Sequence, residues 1–183
     1  ASKGQFDLFE TMKWTQAEGF HMLDLHMARL ARSAAYFGFQ FDDEEARRLL
    51  KLGAQTQNSA ARVKLLLSRQ GALSCQFNLL PTPPKGPVAI SFSDIKVNST
   101  DPFLFHKTTC RDIYEHASSG TSCFDAVLQN ERGEITEGSF TNIFIEKDGV
   151  ILTPALSCGL LPGILREAML KDGKCEEATL HAH

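Results

Sequence analysis

An α+β architecture in two lobes is what this sequence predicts, and three observations predict it. Short apolar runs bounded by turn residues recur along the chain and read as strands. Amphipathic stretches with cap residues interrupt them and read as short helices. A polar, turn-rich run at 93–102 (SDIKVNSTDP) changes the composition and divides the chain into lobes at 1–95 and 103–183.

The elements follow in order. Residues 5–14 read as a strand with Phe6, Leu8 and Phe9 as its apolar surface, and 19–23 as its return partner. Asp24 is placed to cap a helix, because its carboxylate can accept from the amides of the first turn. That helix runs through Leu25, Met27, Leu30, Ala34 and Phe37, with Gly38 as its C′ residue. A second helix follows Asp42 and Asp43, with Glu44 and Glu45 at its positive end and Leu49, Leu50 and Leu52 expected inside. Residues 61–69 and 73–80 read as antiparallel strands around Gln70-Gly71. The proline-rich 81–87 is an exposed loop and 88–92 another strand. Beyond the boundary, 109–118 reads as helix, and 123–129, 135–136 and 142–146 as strands around the Glu131-Arg132-Gly133 turn. Asp148-Gly149 marks a hairpin before 150–153, and Pro162-Gly163 precedes a helix over 164–170.

Composition narrows the function. The chain has 183 residues, 43% of them apolar, enough for a real core. Its 19 basic and 22 acidic residues provide no basic field for nucleic acid, so a small-molecule substrate is favoured. Five cysteines, with no C-x-x-C pair, argue against a disulfide framework or zinc knuckle and fit a reducing cytoplasm. No apolar run approaches a membrane helix, and residues 1–5 lead straight into strand-like sequence without a signal-peptide core. The terminal His181-x-His183 pair reads as solvated residues, so no metal site is expected.

Three segments could carry chemistry. Lys107 follows the apolar run Phe103-Leu104-Phe105, where partial desolvation would free its amine as a nucleophile; otherwise it is a surface lysine before a helix. Glu137 ends a strand and is followed by Gly138 and Ser139, a pattern found where backbone approaches a ligand. Buried, it could keep a heterocyclic nitrogen protonated; otherwise it is a hairpin glutamate in solvent. Leu161-Pro162-Gly163-Ile164-Leu165 opens a helix, and the amides of Ile164 and Leu165 would form a cup for an anion. Arg69 and Arg111 are further candidates for a substrate carboxylate.

The order of these segments resembles the fold-type IV pyridoxal-phosphate enzymes, which include branched-chain and D-amino-acid aminotransferases and aminodeoxychorismate lyase. The resemblance is carried by Phe9-Glu10-Thr11-Met12, His26-Met27-Ala28-Arg29-Leu30, Lys107-Thr108-Thr109 with Arg111, Glu137-Gly138-Ser139 through Asn142-Ile143-Phe144, and Leu161-Pro162-Gly163-Ile164. It covers nearly the whole chain and is strongest toward aminodeoxychorismate lyase. It implies a small α/β lobe followed by a larger, β-barrel-like lobe. It also implies that Lys107 holds pyridoxal 5′-phosphate and shuttles protons, and that Glu137 pairs with the ring nitrogen. Arg29 would bind the phosphate with the Ile164 and Leu165 amides beside Gly163, and Leu161 would pack on the ring. For Arg29 a plainer alternative is the polar face of an amphipathic helix, shared with Arg32.

The implied activity is release of pyruvate from 4-amino-4-deoxychorismate to give 4-aminobenzoate for folate synthesis, by a homodimer functionally linked to aminodeoxychorismate synthase. A branched-chain-type aminotransferase and a non-catalytic remnant of the fold are the alternatives. Three departures bear on this choice. Phe9 replaces a tyrosine of the D-amino-acid enzymes. Leu165 replaces a hydroxyl residue of several relatives. The C-terminal end is expected to be truncated, leaving the larger lobe incomplete.

Overall fold

The computed structural model describes residues 4–182. Ala1 to Lys3 and His183 lie outside the described residues, and with them part of the leader reading and half of the terminal histidine pair. The chain forms two compact units. The first takes the chain as far as Pro83 together with Lys107–Cys110, and the second comprises Pro84–His106 and Arg111–His183. The chain thus leaves its first unit at the proline-rich loop. The polar run at 93–102, read from the sequence as the boundary between lobes, contains the second half of a strand.

In the first unit, β1 (Leu8–Thr15), β2 (Gly19–Phe20), β3 (Ala61–Leu67) and β4 (Leu73–Leu79) make one antiparallel sheet ordered β2-β1-β3-β4. Alternation along β3 buries Ala61, Val63, Leu65 and Leu67, while the buried face of β1 carries Leu8, Glu10, Met12 and Trp14. One acid therefore sits inside an apolar row. Helix α1 (Leu23–Phe37) packs on β1, and α2 (Asp43–Ala54) on β4.

Helix α1 ends as expected. Gly38 adopts φ 69°, which an L side chain would resist, and its N–H donates to the Ala34 carbonyl. Its start differs. The N-cap position is Met22, in a left-handed conformation with no side-chain cap, and Asp24 lies within the first turn, where it accepts from Arg47 Nη1 at 2.8 Å. Helix α2 is capped by Asp42, whose carboxylate accepts from the Glu45 N–H at 3.0 Å. Only Ala46 and Leu50 of α2 are buried. Leu52, two residues on, turns away and is 47% exposed.

The second unit holds two three-stranded sheets. One is ordered β5 (Ile90–Val97), β6 (Asp125–Asn130), β7 (Ile135–Gly138), with β5 parallel and β7 antiparallel to β6. The other is ordered β10 (Glu176–Ala178), β9 (Val150–Pro154), β8 (Ile145–Lys147), with Asp148 and Gly149 both at positive φ in the β8–β9 hairpin. Helix α3 (Asp112–Ser119) places Tyr114 and Ala117 against Val97, Leu104, Ala126 and Leu128. Helix α4 (Ile164–Lys171) precedes β10. No closed barrel forms among the described residues, contrary to the barrel-like lobe expected: with three strands each, neither sheet can curl back on itself. The terminal segment is folded structure. β10 pairs in parallel with β9, His181 bridges to Glu134, and Glu177 pairs with the buried Arg166.

The β6–β7 turn is tied by charge. Glu131 accepts from the Ser99 hydroxyl at 2.6 Å and from its N–H at 2.8 Å, bonds that hold its carboxyl down at about 2. Glu134 accepts from Arg132 Nη2 and Asn130 Nδ2, each at 2.7 Å, and is likewise held at about 2. Both folded values lie below the ordinary carboxyl value of about 4.3. The stabilisation they lend is therefore complete above that value and fades as pH falls toward 2. The urea midpoint is expected to drop across this window, and Glu134→Gln should flatten the drop while lowering the midpoint at neutral pH. An unchanged acid profile in the variant would remove this turn from the account.

No described helix is long and apolar enough to cross a membrane. None of the five cysteines forms a disulfide.

Candidate active site

In the first unit, Lys107 is held by backbone. Residues 107–109 add to the free edge of β1: Phe9 N–H donates to the Lys107 carbonyl at 3.1 Å and Thr109 N–H to the Asp7 carbonyl at 2.9 Å. The Asp7 N–H donates to Thr109 Oγ1 at 3.0 Å, and Leu8 bridges Thr108. A residue fixed this way can aim a long side chain precisely. Lys107 Nζ stands 4.7 Å from the centre of the Phe9 ring, and the side chain is half-buried.

Lys64 Nζ approaches the same ring at 5.0 Å. Register explains why: Phe9 faces Leu66, Thr11 faces Lys64 and Lys13 faces Arg62, so these side chains share one sheet face. That face is cationic around an aromatic ring. Reading the sequence passed over Lys64, although Arg62 and Lys64 at period two in a strand were the signal for this face.

Arg29 is not on the polar face of α1. It is buried, whereas Arg32 is exposed. Its Nε donates to Glu10 Oε1 at 2.8 Å and its Nη2 to Glu10 Oε2 at 2.6 Å, and His26 Nδ1 lies 2.7 Å from the same Oε2. Glu10 is 1% exposed. Burial pushes its carboxyl up, but the hydrogen bonds from His26 and Arg29, with their charges, outweigh that and hold it below the usual range.

In the second unit, Glu137 is buried at 6% exposure rather than solvated. Its Oε1 accepts from Tyr114 Oη at 2.8 Å and from the Leu161 N–H at 3.1 Å. The Leu161 carbonyl in turn accepts from Asn142 Nδ2 at 3.2 Å, so the main chain of Leu161 joins the Glu137 and Asn142 ends of one segment. The turn after Glu137 is clamped by buried Asp125, which accepts from the Ser139 N–H at 2.8 Å, Ser139 Oγ at 2.6 Å and Thr141 Oγ1 at 2.5 Å. Gly163 is the N-cap of α4, without a side-chain cap. A Cβ there would lie 1.6 Å from Asn142 Oδ1, so only glycine lets the helix start so close to Asn142. Ile164 is buried and Leu165 is 56% exposed.

Arg69 and Arg111, the other candidates, are engaged locally. The Arg69 guanidinium lies 4.8 Å from the Phe39 ring centre and donates to the Phe37 carbonyl. Arg111 donates to the Ser139 carbonyl at 2.6 Å and covers the Tyr114 ring at 4.5 Å. Among the described residues no group of three or more His, Cys, Asp or Glu could hold a metal.

The family model for amino-transferase class IV matches residues 7–183. The chain belongs to the class IV aminotransferases. It has their α+β, two-unit fold-type IV architecture, and the family's cofactor is pyridoxal 5′-phosphate. A probable branched-chain-amino-acid aminotransferase of Thermotoga maritima is 34% identical over 160 residues, 83% of this chain and 58% of that protein. This chain therefore spans less than two thirds of that relative. A fission-yeast (Schizosaccharomyces pombe) protein provisionally named aminodeoxychorismate lyase is 30% identical over 178 residues, 93% of this chain and 76% of that one. A crystal structure of a Mesorhizobium loti protein, provisionally named an amino-acid aminotransferase, superposes with TM-score 0.91 at 37% identity. It covers 96% of this chain and 87% of its own.

Each unit, taken by itself, holds groups of a kind that the cofactor's handles use. A half-buried primary amine suits an aldehyde, a buried carboxylate suits a basic ring nitrogen, and an uncapped helix N-terminus suits a phosphate.

Proposed function

We propose that this class IV enzyme is an aminotransferase for amino acids of the branched-chain type, working with pyridoxal 5′-phosphate. The observation that carries this reading is the Glu137 anchor, a buried carboxylate held by a hydroxyl and a main-chain amide on one oxygen. The Thermotoga and Mesorhizobium likenesses support amino-acid transamination ahead of lyase chemistry.

The cofactor, when bound, supplies an electrophilic carbon and a ring that accepts electrons. Lys107 holds it through Nζ and then carries a proton to and from the substrate's α-carbon. Glu137 keeps a proton at the ring nitrogen. Arg29 and the amides of Ile164 and Leu165 take the phosphate, Gly163 permits their approach, and Leu161 packs on the ring. The cationic face of Lys64 and Arg62 around Phe9 orients a substrate carboxylate. A cytoplasmic homodimer belongs to the same reading.

A second reading, 4-amino-4-deoxychorismate lyase with a link to aminodeoxychorismate synthase, is supported by the fission-yeast relative. The same cationic face would suit a substrate with two carboxylates. Product analysis separates the two. Incubation with leucine, valine or isoleucine and 2-oxoglutarate is expected to yield glutamate. Production of 4-aminobenzoate and pyruvate from aminodeoxychorismate, with no glutamate formed, would replace the first reading by the second, and neither product would leave a non-catalytic member of the fold.

A further inference from the structure

Tyr114 was singled out by no motif, yet its side chain reaches Glu137. It projects from the first turn of α3 into the core formed by Val97, Leu104, Ala126 and Leu128, and only 8% of its surface is exposed. A phenol in such a place could be plain packing. Its hydroxyl argues otherwise, because it reaches out of the apolar cluster to donate to Glu137 Oε1 at 2.8 Å.

We propose that Tyr114 is a positioning residue, whose buried hydroxyl fixes the Glu137 carboxylate in the orientation and ionised form in which it meets the cofactor's ring nitrogen. The inference rests on the role of Glu137 in the proposed function and adds to it the group that sets that role. Three features of the second unit support it. Burial, followed by the charge and hydrogen bond of Glu137, pushes the phenol well above its ordinary value, so the hydroxyl remains a donor throughout the working range. Donation to the charged form of a carboxylate lowers its affinity for a proton, so a proton shared between Glu137 and a ring nitrogen stays on the nitrogen.

The third feature is the support behind the phenol. Arg111 lies over the Tyr114 ring at 4.5 Å while donating to the Ser139 carbonyl, and Asp125 clamps Ser139 from the other side. Tyr114 and the turn that follows Glu137 are thus braced together. The charged groups that bear on the hydroxyl are Glu137 from β7, Arg111 at the N-terminus of α3, and Asp101 ahead of Pro102; only Arg111 opposes the upward push.

Tyr114→Phe keeps the ring and its packing and removes the hydroxyl alone. Two measurements report on the proposal, one without cofactor. In the unloaded protein, carbon-13 NMR of the Glu137 carboxyl is expected to titrate at higher pH in the variant than in the parent. With pyridoxal phosphate labelled with nitrogen-15, the ring-nitrogen resonance should move toward its unprotonated position, and the cofactor should bind about ten- to a hundredfold more weakly. A purely structural tyrosine would lower the melting temperature and leave the carboxyl titration and the ring nitrogen where they were, which would overturn the proposal.

Fluorotyrosine incorporation provides a second test should the phenylalanine variant fold poorly. The chain has only two tyrosines, and the other, Tyr36, is 61% exposed. A more acidic phenol at 114 is a stronger donor and should shift the Glu137 titration in the opposite direction; an unmoved titration counts against the proposal. Glu137→Gln separates this inference from the reading beneath it. If that variant moves the ring-nitrogen resonance and Tyr114→Phe does not, only the role of Tyr114 fails. If Glu137→Gln leaves the resonance unmoved, the assignment of Glu137 fails with it.

Discussion

Lys107→Ala is expected to abolish both activity and the covalent attachment of pyridoxal phosphate that borohydride makes permanent. Loss of the general-base role alone is worth about 10²- to 10⁴-fold in rate, and loss of the nucleophile adds to it. The fold should scarcely notice. Residue 107 is tied to β1 through main-chain atoms, the Phe9 N–H donating to its carbonyl, and alanine keeps that bond. The melting temperature should therefore stay close to that of the parent while turnover disappears. Lys64 makes the experiment discriminating, because a second amine stands 5.0 Å from the same Phe9 ring. Reduction of the parent followed by peptide mapping should find the adduct on Lys107. An adduct on Lys64, or one that persists in Lys107→Ala, would falsify the assignment.

Why some of this was legible in the sequence and some was not follows from what each residue is paired with. The β3–β4 hairpin, the C-terminus of α1 and the Asp42 cap lie where local chemistry decides, and they form at or within a residue or two of their expected positions. The start of α1 is different. Asp24 is a sound cap by type, but Arg47 of α2 offers it a charged partner at 2.8 Å, and the chain enters the helix through a left-handed Met22 instead. Such competition across 23 positions has no local signature. The sequence pattern ends strand β5 at residue 92, because Ser93, Asp94 and Lys96 look like turn residues. In the fold they continue the strand through a shift in its register with β6, between Phe92 and Lys96, and Asp94 and Lys96 lie on its exposed face, where polar residues cost little.

The site divides in the same way. Lys107, Glu137 and the Gly163 turn could be singled out because their residue types suit the chemistry and their neighbours are distinctive. The groups that support them are ordinary residues whose meaning comes from tertiary contact. Tyr114 looks like one apolar position of α3. Asp125 looks like the start of a strand, yet it receives three hydrogen bonds from a turn more than a dozen residues away. Glu10 was the one supporting residue open to inference. It alternates with Leu8, Met12 and Trp14, which puts it on the buried face, and His26 and Arg29 are spaced three apart on the helix that covers that face.

Glu10→Ala is accordingly expected to be the most destabilising single change in the first unit. The carboxylate receives both prongs of the Arg29 guanidinium and faces the His26 ring, and all three residues are buried. Truncating it strips the buried Arg29 of its two-pronged carboxylate partner, a loss of about 3–5 kcal/mol when one partner of a buried pair is removed. Against a total stability of about 5–15 kcal/mol, that brings the protein near unfolding. Glu10→Gln retains shape and one acceptor oxygen but turns an amide toward a donor, so a smaller loss of about 1.5–3 kcal/mol is expected, the scale of one charged hydrogen bond. The pH dependence has a fixed sign. Because the folded carboxyl is held below its ordinary value, the stabilisation is complete at neutral pH and is lost as the medium is acidified through the folded value. Urea unfolding of the parent and both variants at neutral and acid pH checks this: the gap between parent and Glu10→Ala should narrow on acidification. A gap that stays constant would mean the carboxylate charge contributes nothing, and that Glu10 serves only to fill space beneath α1.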